Sequence, residues 1–125
     1  MERIILMADD ECSQQCLGVP NLEKEGHLVL FYRNGKKIID DVEDGLIYHI
    51  GIIDLSLPGI GGYDVISRLK EKYPLVPIIC STGYSLANTD ADAIIVKPWS
   101  YFDLAKKINQ LLPGTIKRST FLDFI

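Results

Sequence analysis

Short apolar runs alternate along this chain with longer segments whose apolar positions recur every three or four residues. Ile4-Ile5-Leu6-Met7-Ala8, the stretch from His27 to Tyr32, Ile50-Gly51-Ile52-Ile53, Ile78-Ile79-Cys80 and Ile94-Ile95-Val96 read as buried strands. Five strands separated by helix-like segments predict an α/β fold with a parallel sheet. Lys36 to Asp44 reads as a short helix with Ile38, Ile39 and Val42 on one face and Gly45 as its stop, after a turn at Arg33-Asn34-Gly35. Tyr63 to Tyr73 carries Val65, Ile66 and Leu69 at helical spacing before Pro74. In the last helix Ser100 is the N-cap with Asp103 three residues on, Leu104, Ile108, Leu111 and Leu112 form the apolar stripe, and Pro113-Gly114 ends it.

Two segments fit this alternation poorly. A first helix is expected between Glu11 and Gly26 with Cys12, Cys16 and Val19 inward, but Gly18 and Pro20 interrupt it, and an interior proline costs roughly 3 kcal/mol. A broken helix or a loop is expected there. Between Thr82 and Ile94 only Leu86 to Thr89 reads as helical, about one turn. The tail from Thr115 to Ile125 mixes Lys117-Arg118 with Phe121, Leu122, Phe124 and Ile125, a docked segment or the stub of a linker. The expected organisation is one domain over residues 1–113 and a tail over 114–125.

Composition narrows the classes. The 125 residues suffice for one domain with a real core, and a 47% hydrophobic fraction argues against disorder. A formal charge of −4 favours neither nucleic acid nor an anionic membrane surface. No apolar stretch approaches the ~18 residues of a membrane span, and Met1-Glu2-Arg3 opens directly into a strand-like run with no leader pattern. Cys12, Cys16 and Cys80 are odd in number and lack paired CxxC spacing, so reduced thiols and a cytoplasmic location are expected. Cys12 and Cys16 have helical spacing for a shared metal, but no second ligand pair accompanies them, and a core role is the plainer reading.

The chemistry lies where the strands end. The first run leads into Asp9-Asp10, the third into Asp54, the fourth into Ser81-Thr82 and the fifth into Lys97-Pro98. Residues just past the carboxyl ends of parallel strands meet at one edge of the sheet, where open α/β folds place ligands. Three carboxylates, a hydroxyl and an ammonium then converge. Carboxylates repel one another unless a cation joins them, so the cluster asks for a hard metal, and Mg²⁺ fits best. Asp54, followed by Leu55-Ser56-Leu57-Pro58-Gly59, is open to attack a phosphoryl group in line. Taken singly, each residue has a plainer role: Asp9 or Asp10 caps a helix, Asp54 opens a turn, Lys97 is solvated. The same placement in four strands is much harder to obtain by accident.

On these residues the chain resembles the receiver domain of bacterial response regulators. The matching positions are Asp9-Asp10, Asp54 with Pro58 and Gly62, Thr82, and Lys97-Pro98, over Ile4 to about Leu112. The resemblance implies a flavodoxin-like, three-layer, doubly wound five-stranded parallel sheet of order 2-1-3-4-5, here with a degraded first helix and a degraded fourth. It implies that Asp54 accepts a phosphoryl group from a sensor histidine kinase or histidine phosphotransfer protein. Asp9, Asp10, Asp54 and the Ser56 backbone carbonyl would hold Mg²⁺, while Thr82 and Lys97 bind the phosphoryl oxygens. Such a domain is no enzyme beyond its own phosphorylation and hydrolysis. It passes its signal to a downstream effector protein, as a monomer or weak homodimer, and contacts neither nucleic acid nor membrane itself.

Two features depart from the family. Ile94 stands where an aromatic residue usually turns inward on activation, and the Thr82-to-Lys97 span of 15 residues is short by roughly two helical turns. The apolar side of the fourth and fifth strands would then need a cover, which the tail residues Phe121, Leu122, Phe124 and Ile125 could supply, in this chain or a neighbouring one, and any dimer is expected to be constitutive or tail-mediated. The alternative is a pseudo-receiver, a module that binds partners without phosphorylation. A haloacid-dehalogenase-type phosphatase would need a second acid where Ser56 stands. A flavin-binding flavodoxin would need a phosphate loop where Asp9-Asp10-Glu11 stands.

Overall fold

Strands buried on both faces need helices on both faces, and the alternating side chains of each strand feed two separate cores. The computed structural model describes residues 2–11, 18–83 and 89–122. Strands β1 (Ile4–Ala8), β2 (Leu28–Tyr32), β3 (Ile50–Asp54), β4 (Ile78–Thr82) and β5 (Ala93–Val96) form one parallel sheet of order β2-β1-β3-β4-β5. Helices α1 (Val19–Lys24), α4 (Tyr101–Leu111) and α5 (Arg118–Leu122) accompany one face, and α2 (Gly35–Glu43) and α3 (Gly62–Lys72) the other. Ile5, Met7, Ile52, Ile79 and Ile95 point into the first core with Leu104 and Ile108 of α4. Leu6, Ala8, Ile53, Ile78 and Cys80 point into the second with Ile38, Val42, Val65 and Leu69. Each fully buried aliphatic side chain contributes roughly 1.5–3 kcal/mol, so the two cores dominate stability. The expected fold class and strand order are what the structure shows.

Local chemistry sets the helix ends. Ser100 Oγ accepts from Asp103 N while the Asp103 carboxylate accepts from Ser100 N, closing a capping box on α4. Asn34, expected only as part of a turn, caps α2 by accepting from Lys37 N. The described first helix is short, six residues, as expected of a broken one, but Gly18 and Pro20 stand at its start and not in its interior. Gly18 is its N-cap at φ 75°, and Pro20 falls in its first turn, where a missing N–H breaks no helical hydrogen bond. A Cβ on Gly18 would stand 2.7 Å from Tyr101 Cδ1, so the start of α1 is pressed against the start of α4. The helix thus begins at these residues. Cys12 and Cys16 lie outside the described residues.

The passage from β4 to β5 contains no helix among the described residues, and most of the expected turn from Leu86 to Thr89 lies outside them. The entry to β5 is held instead by Asp92. Its Oδ2 accepts from Ile78 N and from Lys70 Nζ of α3, each at 2.8 Å, and Lys70 also donates to Val76 O.

The tail is docked as far as it is described, but not where the sequence reading put it. His27 Nδ1 accepts from Arg3 N, and its Nε2 lies 2.7 Å from Thr115 O. Asn109 pairs with both backbone groups of Ile116, and Glu25 accepts from Lys117 N and from the Thr120 hydroxyl. Phe121 meets Phe102 edge to face and packs on the core beneath α1 and α4. Phe121 therefore packs on the first core and not on the second-core side of β4 and β5, because the polar anchors at Glu25 and His27 draw the segment to that face; Phe124 and Ile125 lie outside the described residues. No helix among the described residues is long and apolar enough to cross a membrane.

Candidate functional site

Parallel register brings the strand ends together. Ala8 is level with Ile53, Asp54 with Ser81, and Thr82 with Val96. Asp9, Asp10, Asp54, Thr82 and Lys97 therefore share the carboxyl edge of the central strands. Asp54 is 1% exposed, Asp9 2% and Thr82 3%, so the Asp9 and Asp54 carboxylates are sunk into the edge, while Asp10 beside them is not a buried residue. Strand β2 sits outside β1 and ends in Tyr32, whose hydroxyl donates to Asp41 of α2, away from this group.

Asp9 and Asp54 are held alike. Asp9 Oδ1 accepts from Glu11 N at 2.8 Å, and Asp54 Oδ1 accepts from Ser56 N at 2.9 Å. Each carboxylate is thus pinned by the backbone two residues on, a local geometry that Asp adopts readily at strand ends. The second oxygens face Lys97, whose Nζ donates to Asp54 Oδ2 at 2.8 Å and lies 3.5 Å from Asp9 Oδ2. Burial is the largest single influence on this ammonium and acts to lower its pKa. The hydrogen bond and charge of Asp54, with the charges of Asp9 and Glu11, outweigh it and raise the pKa above its ordinary value.

Lys97 faces Asp9 and Asp54, and Asp10 adds a third carboxylate to their cluster. Asp9, Asp10 and Asp54 each offer a carboxylate oxygen within 4.8 Å of the others. Asp10 Oδ1 is shut off from water and has no hydrogen-bond partner. A buried, unpaired carboxylate oxygen is costly unless a cation reaches it. Three hard oxygen donors with an unfilled valence fit Mg²⁺ by chemical type.

The loop ahead of α3 is shaped for this edge. Gly62 N donates to Leu55 O, and a Cβ on Gly62 would lie 2.3 Å from Asp54 O and 2.5 Å from Leu55 Cα. Only glycine lets α3 start directly against the end of β3. On the other side, Lys97 N donates to Thr82 O at 2.8 Å, and the Lys97–Pro98 peptide is cis. Cys80 adds nothing reactive: burial, reinforced by the charge of Asp54, pushes its thiol up to about 11. Ile94 is half-buried at the margin of the second core.

Sequence reasoning overlooked Trp99 and left Ser81 in the shadow of Thr82. Trp99 Nε1 donates to Ser81 Oγ at 3.0 Å, just beside the acidic group. A polar residue in an otherwise apolar strand run, and the chain's one tryptophan directly after Lys97-Pro98, were the available signals.

Comparison with known proteins gives the same picture. The family model for the response regulator receiver domain matches residues 5–109. Response regulator RR06 of Streptococcus pneumoniae is 28% identical over 86% of this chain and 52% of its own, so the chain spans about half the length of that curated relative. The crystal structure of response regulator TrrA from Thermotoga maritima, in complex with Mg²⁺-BeF, is 30% identical with a TM-score of 0.76, covering 88% of this chain and 99% of that one. A CheY-like receiver domain protein from Methanospirillum hungatei is 25% identical with a TM-score of 0.81, covering 92% and 97%. With its sheet order, its acidic edge and these matches, the chain belongs to the response regulator receiver domain family.

Proposed function

We propose that this domain is a phosphoacceptor of a two-component phosphorelay, with Asp54 taking the phosphoryl group. The observation that carries this reading is the opposition of three clustered carboxylates to Lys97, with Asp10 Oδ1 left unpaired. Asp54 Oδ2 is the attacking atom. It forms the bond to phosphorus as the bond to the donor breaks, and the leaving group carries away that electron pair and takes up a proton. Ser56 N–H holds the other carboxylate oxygen and fixes the plane of attack. Lys97 shifts from Asp54 to the incoming phosphoryl oxygens, and the Thr82 hydroxyl donates to another. Asp9, Asp10 and Asp54, with the Ser56 carbonyl, would hold Mg²⁺, which when bound would supply the positive charge that offsets the phosphoryl oxygens.

A histidine kinase or histidine phosphotransfer protein is the proposed donor, and an effector protein the proposed recipient of the signal. The similar TrrA has been solved in complex with histidine kinase ThkA, which supports a donor of that class. Ile94 and the short β4–β5 passage favour a second reading, a receiver whose partners bind it without phosphorylation. The test is incubation with Mg²⁺ and acetyl phosphate, followed by mass analysis. A gain of one phosphoryl group on Asp54 is expected; a chain that stays unlabelled and fails to bind beryllofluoride supports the second reading.

A further inference from the structure

An indole N–H turned toward a core needs an acceptor, and a hydroxyl inside an apolar strand needs a partner. Trp99 and Ser81 meet both needs at once, with Nε1 3.0 Å from Oγ. Ser81 is 2% exposed and level with Asp54 in the β3–β4 register, while Trp99 packs against the core beneath α4. A second tie runs one residue away, from Lys97 N to Thr82 O at 2.8 Å. The loop that carries Lys97 is thus fastened to β4 on both sides of Pro98, once through the backbone and once through the Trp99 side chain.

We propose that Trp99 is a positioning residue: through its hydrogen bond to Ser81 it locks the 97–99 loop so that the Lys97 ammonium stays on Asp54. Lysine has a flexible four-carbon stem, and its ammonium stays at 2.8 Å from Asp54 only if the backbone it grows from is fixed. The backbone tie alone holds Lys97 at its own position and leaves the residues after it free to swing. The indole anchors that side, two residues on, in the strand that also carries Thr82. The two groups proposed to hold phosphoryl oxygens are therefore set at a fixed separation by one strand. This role in phosphoryl transfer rests on the phosphoacceptor reading, whereas the placement of Lys97 does not.

The experiment uses the full chain and two readouts. The first is the ¹⁵N signal of the Lys97 ammonium without Mg²⁺ or phosphodonor, visible because a fixed hydrogen bond slows proton exchange. The second is the rate of labelling by acetyl phosphate with Mg²⁺. Trp99→Phe keeps the ring and removes the donor; Ser81→Ala removes the acceptor; Ser81→Thr restores a hydroxyl. Trp99→Phe and Ser81→Ala are expected to broaden the Lys97 signal and slow labelling roughly fivefold, the scale of one hydrogen bond, with the double variant no slower than the slower single. Ser81→Thr is expected to regain both signal and rate. A sharp Lys97 signal in Trp99→Phe and Ser81→Ala overturns the proposal, even where the melting temperature falls. If wild type is never labelled while the Lys97 signal still depends on Ser81, the positioning role stands and the phosphoacceptor reading falls.

Discussion

Two regions of this molecule bury polar groups, and they do so in opposite ways. Where the tail docks, each polar group named meets a partner: Glu25 takes Lys117 N and the Thr120 hydroxyl, His27 reaches Thr115 O, and Asn109 takes both backbone groups of Ile116. At the acidic edge, three carboxylates crowd together with one ammonium, and an oxygen of Asp10 is left unpaired. The first arrangement is what folding selects, because satisfied polar groups cost little and fix one geometry. The second opposes folding, since like charges at close range repel in a poorly screened setting. A chain keeps such a cluster where a ligand completes it. The tail is structure, and the edge is the proposed site.

Removing the proposed acceptor should break this contrast most sharply. Asp54→Asn is expected to lower labelling by acetyl phosphate at least a hundredfold while circular dichroism stays that of wild type, because the two side chains are nearly isosteric. Labelling of Asp54→Asn at the wild-type rate would move the acceptor elsewhere.

Deleting residues 115–125 should show the opposite signature. It exposes the seat of Ile116 and Phe121 and strips partners from His27 and Glu25, a loss of roughly 3 kcal/mol in urea unfolding. Labelling of the folded fraction should stay near wild type. A deletion that melts like wild type would show the tail to be a passive appendage.

The metal comes next in size. Mg²⁺ at about a hundred times its Kd should stabilise wild type by roughly 2.7 kcal/mol, and Asp10→Asn should lose most of this shift. Without Mg²⁺, Asp10→Asn should be the more stable of the two by about 0.5–1 kcal/mol, because repulsion is relieved. Equal Mg²⁺-induced shifts in both chains would remove Asp10 from the ligand set.

The smallest effect concerns Lys97. The sequence reading gives this lysine a part in phosphoryl binding rather than in folding, but it also faces two buried carboxylates. Its folded pKa is raised above the unfolded value of about 10.4, so its stabilising contribution is complete below that value. The contribution is lost as pH rises through the folded pKa. Lys97→Met should therefore melt below wild type at pH 7, with the gap closing above about pH 10.5. A gap that stays constant to high pH would mean that packing of the stem, and not its charge, sets the difference.

Much of this protein was written locally. The apolar runs specified five strands, most plainly β1, β3 and β4, where burial on both faces leaves an unbroken hydrophobic signature, and the polar residues ending four of the runs specified the edge at which Asp9, Asp10, Asp54, Thr82 and Lys97 gather. Ser100 and Asp103 specified the start of α4 because a capping box is closed within four residues. What lies beyond such spans was decided by tertiary structure. Gly18 and Pro20 look like breaks until Tyr101 is seen pressed against the turn that they build. The tail's apolar residues look like cover for any bare face, and only Glu25 and His27, about ninety positions earlier, choose the face. Ser81 and Trp99 carry no local sign of each other. Periodicity reports which side of an element is buried, because that depends on neighbours a few residues away. The partner of a buried donor depends on which distant strands and helices lie side by side, and the packed sheet alone settles that.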